Sequence, residues 1–471
     1  MKDNFQKVMQ ILHDEAGTVG GVAAIFEDGK VTFIDKYGYA DAEEGREVTL
    51  NCSFDIASCS KAWTLMLCAQ AVDEGLIGWD DPIKKVIPEF EMHDKYAGEH
   101  LSLRDMASHR SGLPCHDFLR DKIGGSRENM MLKCATLEPN VGFRTTYQYN
   151  NHMFILMGYL LERLYGKKWE ELVEEKIAKP LGVEIIRFRG IKGNMDNLER
   201  ALPYCGDGFV AHRCGYADSP ISGPCGGIKI NLPDLLKWVM AMARGGVCES
   251  GARLCSEEQY KQIIEPVIPT TEENGHGISG ACYAMAWHTG VYNDQPFVFH
   301  SGGLTGFNTQ VGFFPGQNKG YAMIFNTGST PASETIRRMA LDTLTTGKAS
   351  VDNCMECIND WKARRDRMLA GVKNAVSGTP VTSATDPELA GSYWHPAYED
   401  FDIAERNGQL WFLYGDFEGA LTRVPGAGFM CAYNGVLDGL VPDHIELKYT
   451  DGGLLMHTME NDLWMYFKKT R

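Results

Sequence analysis

An uncharged run from Ala62 to Val72 is the feature that most constrains the fold of this chain. The run ends at Asp73-Glu74-Gly75, where the glycine is of the kind that follows the last turn of a helix. The predicted helix is apolar on nearly every side, which is the pattern of a helix buried in a protein interior. The chain must therefore fold around this helix, and a polar side chain at its first turn is drawn into the interior.

Ser58 and Lys61 lie at the predicted start of this helix. Residues at positions i and i+3 of a helix share one face, so the two side chains are expected to meet. Burial disfavours the ammonium form of a lysine and lowers its pKa. A lysine in this state beside a serine is suited to act as general base for a nucleophile. The alternative is a serine that caps the helix and a lysine whose ammonium group reaches solvent.

Length and charge exclude several classes of function. The chain has 471 residues, so two or three structural units are expected. Its formal net charge of −16 argues against nucleic acid, which needs a basic surface, and against anionic membrane surfaces. Residues 1–10 lack the apolar region of a secretory signal, and no segment approaches the roughly 18 apolar residues of a membrane span. We therefore expect a cytoplasmic protein with no membrane partner.

The 14 cysteines are expected to be free thiols, as in a reducing cytosol. Cys354-x-x-Cys357 is the single C-x-x-C of the sequence and falls in a predicted helix. No second pair follows at the spacing of zinc ligands. The sequence thus predicts neither a metal nor another cofactor.

Strand patterns occur at both ends of residues 1–346, with helical patterns between them. Near the start, a helix over 3–15 precedes two strands joined by an Asp-Gly turn, which is typical of a hairpin. Further strands are predicted at 283–289, 296–300, 308–314 and 321–326. The simplest fold class is α+β, in which one antiparallel sheet is assembled from both ends of this region and flanked by helices.

The predicted domains follow from the same pattern. Residues 1–346 form one domain, whose sheet comes from about 1–50 and 280–346 and whose all-helical subdomain spans about 80–240. Residues 347–387 are a helix and a linker rich in Ser, Gly, Thr and Pro. Residues 388–471 show short strands and Gly turns, which predict a small C-terminal all-β barrel or sandwich.

Two further segments offer the groups that a serine nucleophile needs. The loop Tyr147-Gln148-Tyr149-Asn150-Asn151 places phenols and amides at the start of a second apolar helix. The predicted strand 296–300 ends in His300 and runs into Ser301-Gly302-Gly303. Glycines in a strand allow a ligand or another backbone to approach closely. These segments predict a hydrogen-bonding wall and a set of backbone N–H donors around Ser58.

Three motifs thus occur in order: Ser58-x-x-Lys61, Tyr149-Asn150-Asn151 and His300-Ser301-Gly302. They resemble the signatures of the serine β-lactamase and penicillin-recognising superfamily, and most closely its class C-like branch, which includes esterases and D-aminopeptidases. The segments 54–57, 108–113, 226–228 and 303–307 are similar to that family as well. The resemblance covers roughly residues 5–345. Residues 388–471 resemble the lipocalin-like β domain often appended to these hydrolases.

The resemblance implies roles for the matching residues. Ser58 would be the acylated nucleophile, Lys61 its base or proton shuttle, and Tyr149 a group that exchanges protons with the nucleophile and the leaving group. Which of Lys61 and Tyr149 takes the first proton is left open. The backbone N–H groups of Ser58 and Gly303 would form the oxyanion hole. The predicted substrate-binding residues are Asn151, His300, Ser301, Gly302 and Gly303.

His300 departs from the family pattern, because β-lactamases begin the third motif with lysine. Lysine is a fixed cation suited to a substrate carboxylate, whereas histidine near pH 7 is mostly neutral. His300 either contacts the substrate or only holds its strand by hydrogen bonds. We expect poor turnover of β-lactams and a serine hydrolase that acts on a small-molecule ester, amide or peptide. The alternatives are an acyltransferase of the same fold and a non-catalytic binding module; the oligomeric state is left open.

Overall fold

The computed structural model describes residues 1–471 except 118–125, 191–198, 207–210, 216–218, 271–274, 329, 377, 416, 425–427, 433–443 and 459–462. The α-helices in this part of the chain are α1 Lys2–Ala16, α2 Lys61–Asp73, α3 Lys95–His100, α4 Leu103–Ala107, α5 Arg127–Lys133, α6 Asn151–Tyr165, α7 Trp169–Val173, α8 Lys179–Leu181, α9 Gly223–Gly226, α10 Leu232–Ala243, α11 Glu257–Ile264, α12 Ala332–Thr346 and α13 Val351–Val376. Short 3₁₀ turns are Ala57–Ser60, Ile83–Lys85, Cys134–Thr136 and Pro220–Ser222, and a π turn spans Glu174–Ala178.

The strands of the first part of the chain are β1 Gly20–Glu27, β2 Lys30–Asp41, β3 Arg46–Glu47, β4 Phe54–Asp55, β5 Ile186–Phe188, β6 Tyr204–Gly206, β7 Ala211–Arg213, β8 Ile228–Ile230, β9 Ile268–Pro269, β10 Ile278–Tyr283, β11 His288–Tyr292, β12 Gln295–Leu304, β13 Phe307–Phe314 and β14 Lys319–Phe325. Those of the last part are β15 Thr379–Pro380, β16 Gly391–His395, β17 Glu399–Arg406, β18 Gln409–Tyr414, β19 Phe417–Val424, β20 Gly428–Ala432, β21 His444–Thr450, β22 Gly453–Thr458 and β23 Leu463–Lys469.

The main sheet is antiparallel and joins both ends of the first 346 residues. Its order is β3-β2-β1-β14-β13-β12-β11-β10-β9. The central pairing sets β1 against β14, with Val22 opposite Ile324. The predicted fold class is confirmed: an antiparallel sheet contributed by both ends of the region, with helices between them in sequence.

Alternation along the strands divides the buried residues into two cores. On β1, Val22 and Ala24 face the larger core, which contains α2, α6 and α10. Ala23 and Ile25 face the opposite side, where α1, α12 and α13 pack. Successive side chains of a strand point to opposite faces, so a strand covered on both sides is apolar throughout. The sheet is therefore the middle layer, with the helical region on one face and the terminal helices on the other.

Helix α2 is buried nearly all round, as the uncharged run predicts. Its residues from Lys61 to Ala69 are all buried. The indole of Trp63 stacks on that of Trp238 in α10, with 4.7 Å between ring centroids. Glycine at position 75 adopts φ 71°, the left-handed conformation expected after the helix end.

The predicted strand at 283–289 is wrong as one element. The chain instead leaves β10 at Tyr283, turns through residues 284–287 and enters β11 at His288. Ala286 has φ 55°, and its N–H donates to the carbonyl of Ala107 in α4. The residues of the turn are as buried as strand residues. Their apolar composition is therefore the same as that of a buried strand. The turn is stabilised by the contact between Ala286 and Ala107 in the helical region.

The C-terminal strands close into a barrel, as predicted. Each strand from β16 to β23 pairs with the next in antiparallel register, and β23 returns to pair with β16. The predicted linker is partly ordered into this unit, because β15 adds to the edge of β19. The exact domain boundaries stay a prediction.

In the described part of the chain, no helix is long and apolar enough to cross a membrane. Nor do three or more His, Cys, Asp or Glu side chains of that part group together in a way that could hold a metal ion.

Candidate active site

Ser58 lies in a tight turn between β4 and α2. The turn is a 3₁₀ helix, and Ala57 adopts φ 45°, a left-handed conformation that is uncommon for a residue with a side chain. Residues 52–60 are all buried except Ser58, which is partly exposed. The turn therefore leaves one hydroxyl accessible and holds its neighbours in the core.

Lys61 begins α2 and is 0% exposed. Its Nζ lies 3.1 Å from Ser58 Oγ, 2.6 Å from Asn151 Oδ1 and 2.7 Å from the carbonyl oxygen of Cys225. Asn151 Oδ1 and the Cys225 carbonyl thus fix the orientation of the Lys61 amine, and the third contact of its nitrogen is with Ser58 Oγ. The predicted meeting of Ser58 and Lys61 on one face of the helix is present, and the snorkelling alternative does not fit a fully buried lysine.

The segment from Pro224 to Ile228 fixes the serine turn from the side. The hydroxyl of Thr64 donates to the carbonyl of Pro224 at 2.7 Å, and the N–H of Ile228 donates to Ser60 Oγ at 3.1 Å. The N–H of Ile56 in turn donates to the carbonyl of Ile228. Together with the Lys61 contact to Cys225, these bonds hold the start of α2 rigidly. Sequence reasoning singled out Gly226-Gly227 here and missed the Cys225 carbonyl, because a backbone acceptor has no residue-type signal.

Tyr149 is the third predicted catalytic residue, and the structure places it at the same point. Lys61 Nζ lies 4.7 Å from its ring centroid, and its hydroxyl is hydrogen-bonded to Ser58. Burial, aided by the nearby Tyr283, raises the pKa of Tyr149 well above the usual value for a phenol, and the bond to Ser58 opposes this only in part. At rest the ring is therefore a neutral phenol that is able to donate a proton.

His109 supports the Tyr149 loop from below. Its Nδ1 accepts a hydrogen bond from the N–H of Asn150, and its ring centroid lies 4.3 Å from that of Tyr149. Burial lowers the pKa of His109 well below its ordinary value. The ring is therefore neutral, and its packing against Tyr149 and its bond to Asn150 give His109 a structural role.

Asn150 and Asn151 divide two tasks between them. Asn150 caps α6 by accepting from the N–H of Met153 at 3.0 Å. Asn151 directs its Oδ1 to Lys61, and its Nδ2 donates to Asp117 at 3.0 and 3.2 Å. The orientation of the Asn151 amide is thus set on both sides. Asp117 is a residue that sequence reasoning missed, since nothing in its neighbourhood distinguishes it from a surface carboxylate.

The end of β12 forms the opposite wall. Beyond Phe299, β12 pairs with β13 but no longer with β11, so residues 300–304 have a strand neighbour on one side only among the described residues. A Cβ on Gly302 would lie 2.3 Å from the carbonyl oxygen of Ile56, whereas a Cβ on Gly303 would meet nothing within 4 Å. Gly302 therefore permits the close approach of strand and serine turn, and Gly303 faces open space. Ser301, beside them, is partly buried.

His300 is 1% exposed and bonded on both sides of its ring. Its Nε2 lies 3.0 Å from the hydroxyl of Tyr283, and its Nδ1 lies 2.5 Å from the carbonyl oxygen of Ser301. Cys59 Sγ approaches the His300 carbonyl at 3.5 Å from within the core. This geometry fits the strand-holding interpretation, and direct contact between His300 and a substrate stays a prediction.

Replacing Gly302 by alanine is expected to lower Tm by several degrees. The new methyl group overlaps the Ile56 carbonyl, and overpacking of this kind costs about 1–3 kcal/mol. Gly303→Ala is the matched control, because its methyl group enters open space. Thermal unfolding measures both. Equal Tm values for the two variants would contradict the close approach described here.

Comparisons with known proteins show the family and the fold of this chain. The Beta-lactamase family model matches residues 1–344. Unguisins hydrolase ungD' of Aspergillus campestris is 27% identical over 434 residues, which cover 86% of this chain and 78% of that protein.

Two solved structures share the fold. The octameric penicillin-binding protein homologue from Pyrococcus abyssi has a TM-score of 0.62 at 20% identity, covering 100% of this chain and 96% of its own. A D-stereospecific amidohydrolase from Streptomyces sp. has a TM-score of 0.58 at 18% identity, covering 76% and 98%. With the family match extending over most of its length, this chain belongs to the Beta-lactamase family, whose fold serves serine hydrolases.

Proposed function

We propose that this protein forms an acyl-enzyme at Ser58 and hydrolyses an ester or a small amide or peptide. The observation that supports this most is the buried Lys61 Nζ at 3.1 Å from the one partly exposed hydroxyl of its turn. A serine hydroxyl is a weak nucleophile until a neighbouring base takes its proton. Nucleophile and base here stand on one helical turn, held by bonds that do not depend on substrate.

Lys61 is the proposed base for the attack. As a neutral amine it donates its two protons to Asn151 Oδ1 and the Cys225 carbonyl, which leaves the lone pair directed at Ser58 Oγ. The hydroxyl proton then passes to Lys61 while Oγ bonds to the substrate carbonyl carbon. The raised pKa of Tyr149 disfavours the phenolate that the alternative first base would require.

Tyr149 is the proposed acid for the leaving group. Its phenolic proton passes to the leaving oxygen or nitrogen as the bond from the carbonyl carbon breaks, and Lys61 returns a proton to the phenolate. The products of this half are an alcohol or amine and the acyl ester of Ser58. Water then attacks that ester and gives one proton, through Lys61, to the departing Ser58 Oγ, and a carboxylic acid leaves.

The oxyanion that forms in both halves needs donors fixed in advance. We assign this role to the backbone N–H groups of Ser58 and Gly303. Gly303 supports the assignment because it is exposed and a Cβ at its position would meet nothing within 4 Å. Asn151 is assigned to the substrate carbonyl or amide, with its own orientation set by Lys61 and Asp117.

The names of similar proteins make amides and peptides the first class to examine beside esters. The Streptomyces protein is named as a D-stereospecific amidohydrolase, and the Aspergillus protein as a hydrolase of unguisins.

A cytoplasmic location stays a prediction from the sequence, and the acceptor of the acyl group is proposed to be water.

The proposal is tested by covalent labelling and a substrate panel. A fluorophosphonate is expected to add to Ser58, as identified by peptide mass spectrometry, and a panel of p-nitrophenyl esters with D- and L-amino-acid amides is expected to include hydrolysed members. Absence of any adduct would favour the binding module and overturn the proposal. Faster consumption of an ester donor when an alcohol or amine acceptor is added, with transfer products, would instead indicate an acyltransferase.

β-Lactam turnover is expected to be poor. The third motif offers a buried histidine where β-lactamases place a lysine, so no fixed cation from that position meets a substrate carboxylate. Nitrocefin hydrolysis, followed by absorbance beside a class C β-lactamase as reference, measures this. A kcat/KM comparable to that of the reference enzyme would contradict the expectation.

A further inference from the structure

The C-terminal barrel contacts the catalytic region at the turn of residues 395–399, between β16 and β17. Tyr398 in this turn is fully buried, and its hydroxyl lies 2.6 Å from Nδ1 of His116. A second attachment joins the same turn to α5, where Lys133 binds Glu399 at 2.9 Å and the carbonyl of Pro396 at 3.2 Å. The barrel therefore contacts the segment 113–117 at His116.

The turn itself is held rigidly within the barrel. The hydroxyl of Tyr414 donates to the carbonyl of Tyr398 at 3.0 Å. His395 Nδ1 accepts from the N–H groups of Ala397 and Tyr398, at 3.1 and 3.4 Å. A hydroxyl carried by such a turn has little freedom, so its partner is held at a fixed point.

His116 stands in an unusual backbone conformation. Its φ is 52°, in the left-handed region that non-glycine residues rarely adopt, and its side chain is 1% exposed. A residue of this kind keeps its conformation only where surrounding contacts over-determine it. The Tyr398 hydroxyl is one of those contacts. Burial, with His152 and His395 nearby, lowers the pKa of His116 to about 3, so the ring stays neutral in ordinary buffers.

The next residue after His116 is Asp117, whose carboxylate accepts both contacts from Asn151 Nδ2. Asn151 in turn gives its oxygen to Lys61 at 2.6 Å. The segment is also tied to the loop that carries Tyr149, because Asn150 Nδ2 donates to the carbonyl of Leu113 at 3.1 Å. The direction of the Asp117 carboxylate, and with it that of the Asn151 amide, follows from the backbone at His116.

We propose that Tyr398 of the C-terminal barrel is a positioning residue for the active site, acting through His116 and Asp117 on the Asn151 amide that holds Lys61. The inference builds on the proposed function, in which Lys61 is the base. It gives the C-terminal barrel a part in catalysis.

Tyr398→Phe tests the proposal, because it keeps the ring and removes only the hydroxyl. We expect kcat for a p-nitrophenyl ester to fall about fivefold to tenfold with KM within twofold of wild type. Tyr393→Phe is the matched control, since the Tyr393 hydroxyl is equally buried but donates to Leu389 inside the barrel region. It is expected to leave kcat unchanged. Equal kcat values in the two variants would overturn the proposal.

A double-mutant cycle with Asp117→Ala separates positioning from general damage. If Tyr398 acts through Asp117, the double variant is no slower than Asp117→Ala alone, within twofold. If the two substitutions acted independently, their fold-losses in kcat would multiply in the double variant. That outcome would overturn the proposed action of Tyr398 through Asp117.

Hydrogen exchange followed by mass spectrometry gives a readout that needs no activity. Tyr398→Phe is expected to speed exchange at least threefold in peptides covering 147–153, whereas Tyr393→Phe leaves them unchanged. Unchanged exchange in Tyr398→Phe would overturn the proposal. A wild-type protein that fails to react with fluorophosphonate would remove the proposed function, while this exchange result still decides the coupling.

Discussion

Ser58→Ala is expected to lose ester and amide hydrolysis by at least about 10⁴-fold and to form no fluorophosphonate adduct. Only the hydroxyl group is removed, and its oxygen is the atom that becomes acylated in the proposed mechanism. Lys61 keeps its bonds to Asn151 and the Cys225 carbonyl, so the fold is expected to be unaffected. Intact mass measured after labelling, together with kcat/KM on the best ester of the panel, checks both statements.

Ser60→Ala is the matched control for this loss. Ser60 lies two residues further on, is fully buried and accepts a hydrogen bond from the N–H of Ile228. Its variant is expected to lose stability, because that N–H is left without its acceptor, yet still to form the adduct at Ser58. Full activity in Ser58→Ala would remove the acyl-enzyme and the acyltransferase together.

Lys61→Met is expected to slow acylation by about 10²–10⁴-fold, the range that general bases contribute. Methionine matches the length of the lysine stem but takes no proton from Ser58. The variant also removes the hydrogen bonds that Lys61 donates to Asn151 Oδ1 and the Cys225 carbonyl, which costs about 1–3 kcal/mol of the free energy of unfolding. The rate of fluorophosphonate addition and a chemical denaturation curve measure the two effects separately.

Lys319→Met distinguishes loss of the base from loss of a buried lysine. Lys319 in β14 is likewise buried and gives its Nζ to two protein acceptors, Gln295 Oε1 and the carbonyl of Leu344. Burial lowers the pKa of Lys319. Its variant is expected to be destabilised to a similar degree and to keep the wild-type labelling rate. Equal labelling rates in the two variants would contradict a proton-accepting role for Lys61.

The contacts that could be predicted from sequence are local ones or ones marked by residue type. Ser58 and Lys61 meet because they lie three positions apart at the entry to a helix, and an uncharged run forces that helix into the core. The sheet joining both ends of the region follows from strand patterns at those ends. The family resemblance predicted that Tyr149 and Asn151 lie beside Ser58, although they are far from it in sequence.

The remaining parts of the site depend on contacts that leave no mark in the sequence. The Cys225 carbonyl belongs to the backbone, which every residue has. Asp117 is a common type of residue, and it belongs to the site only because Asn151 donates to its carboxylate. The contact between His116 and Tyr398 joins residues 282 positions apart. The strand predicted over 283–289 was wrong for a related reason, since burial in a turn against α4 gives the same apolar composition as burial in a sheet.

The pairing of β1 with β14 has a consequence for synthesis on the ribosome. The β1–β2 hairpin emerges well before β14, because the partner of its β1 edge lies about 300 residues later, as with Val22 and Ile324. At a synthesis rate of about 5–20 residues per second, that interval lasts roughly 15–60 seconds. During it the apolar edge of β1 has no partner, and an open strand edge is a template for association with other chains. Chaperone capture of the nascent hairpin is therefore most needed before β14 leaves the exit tunnel.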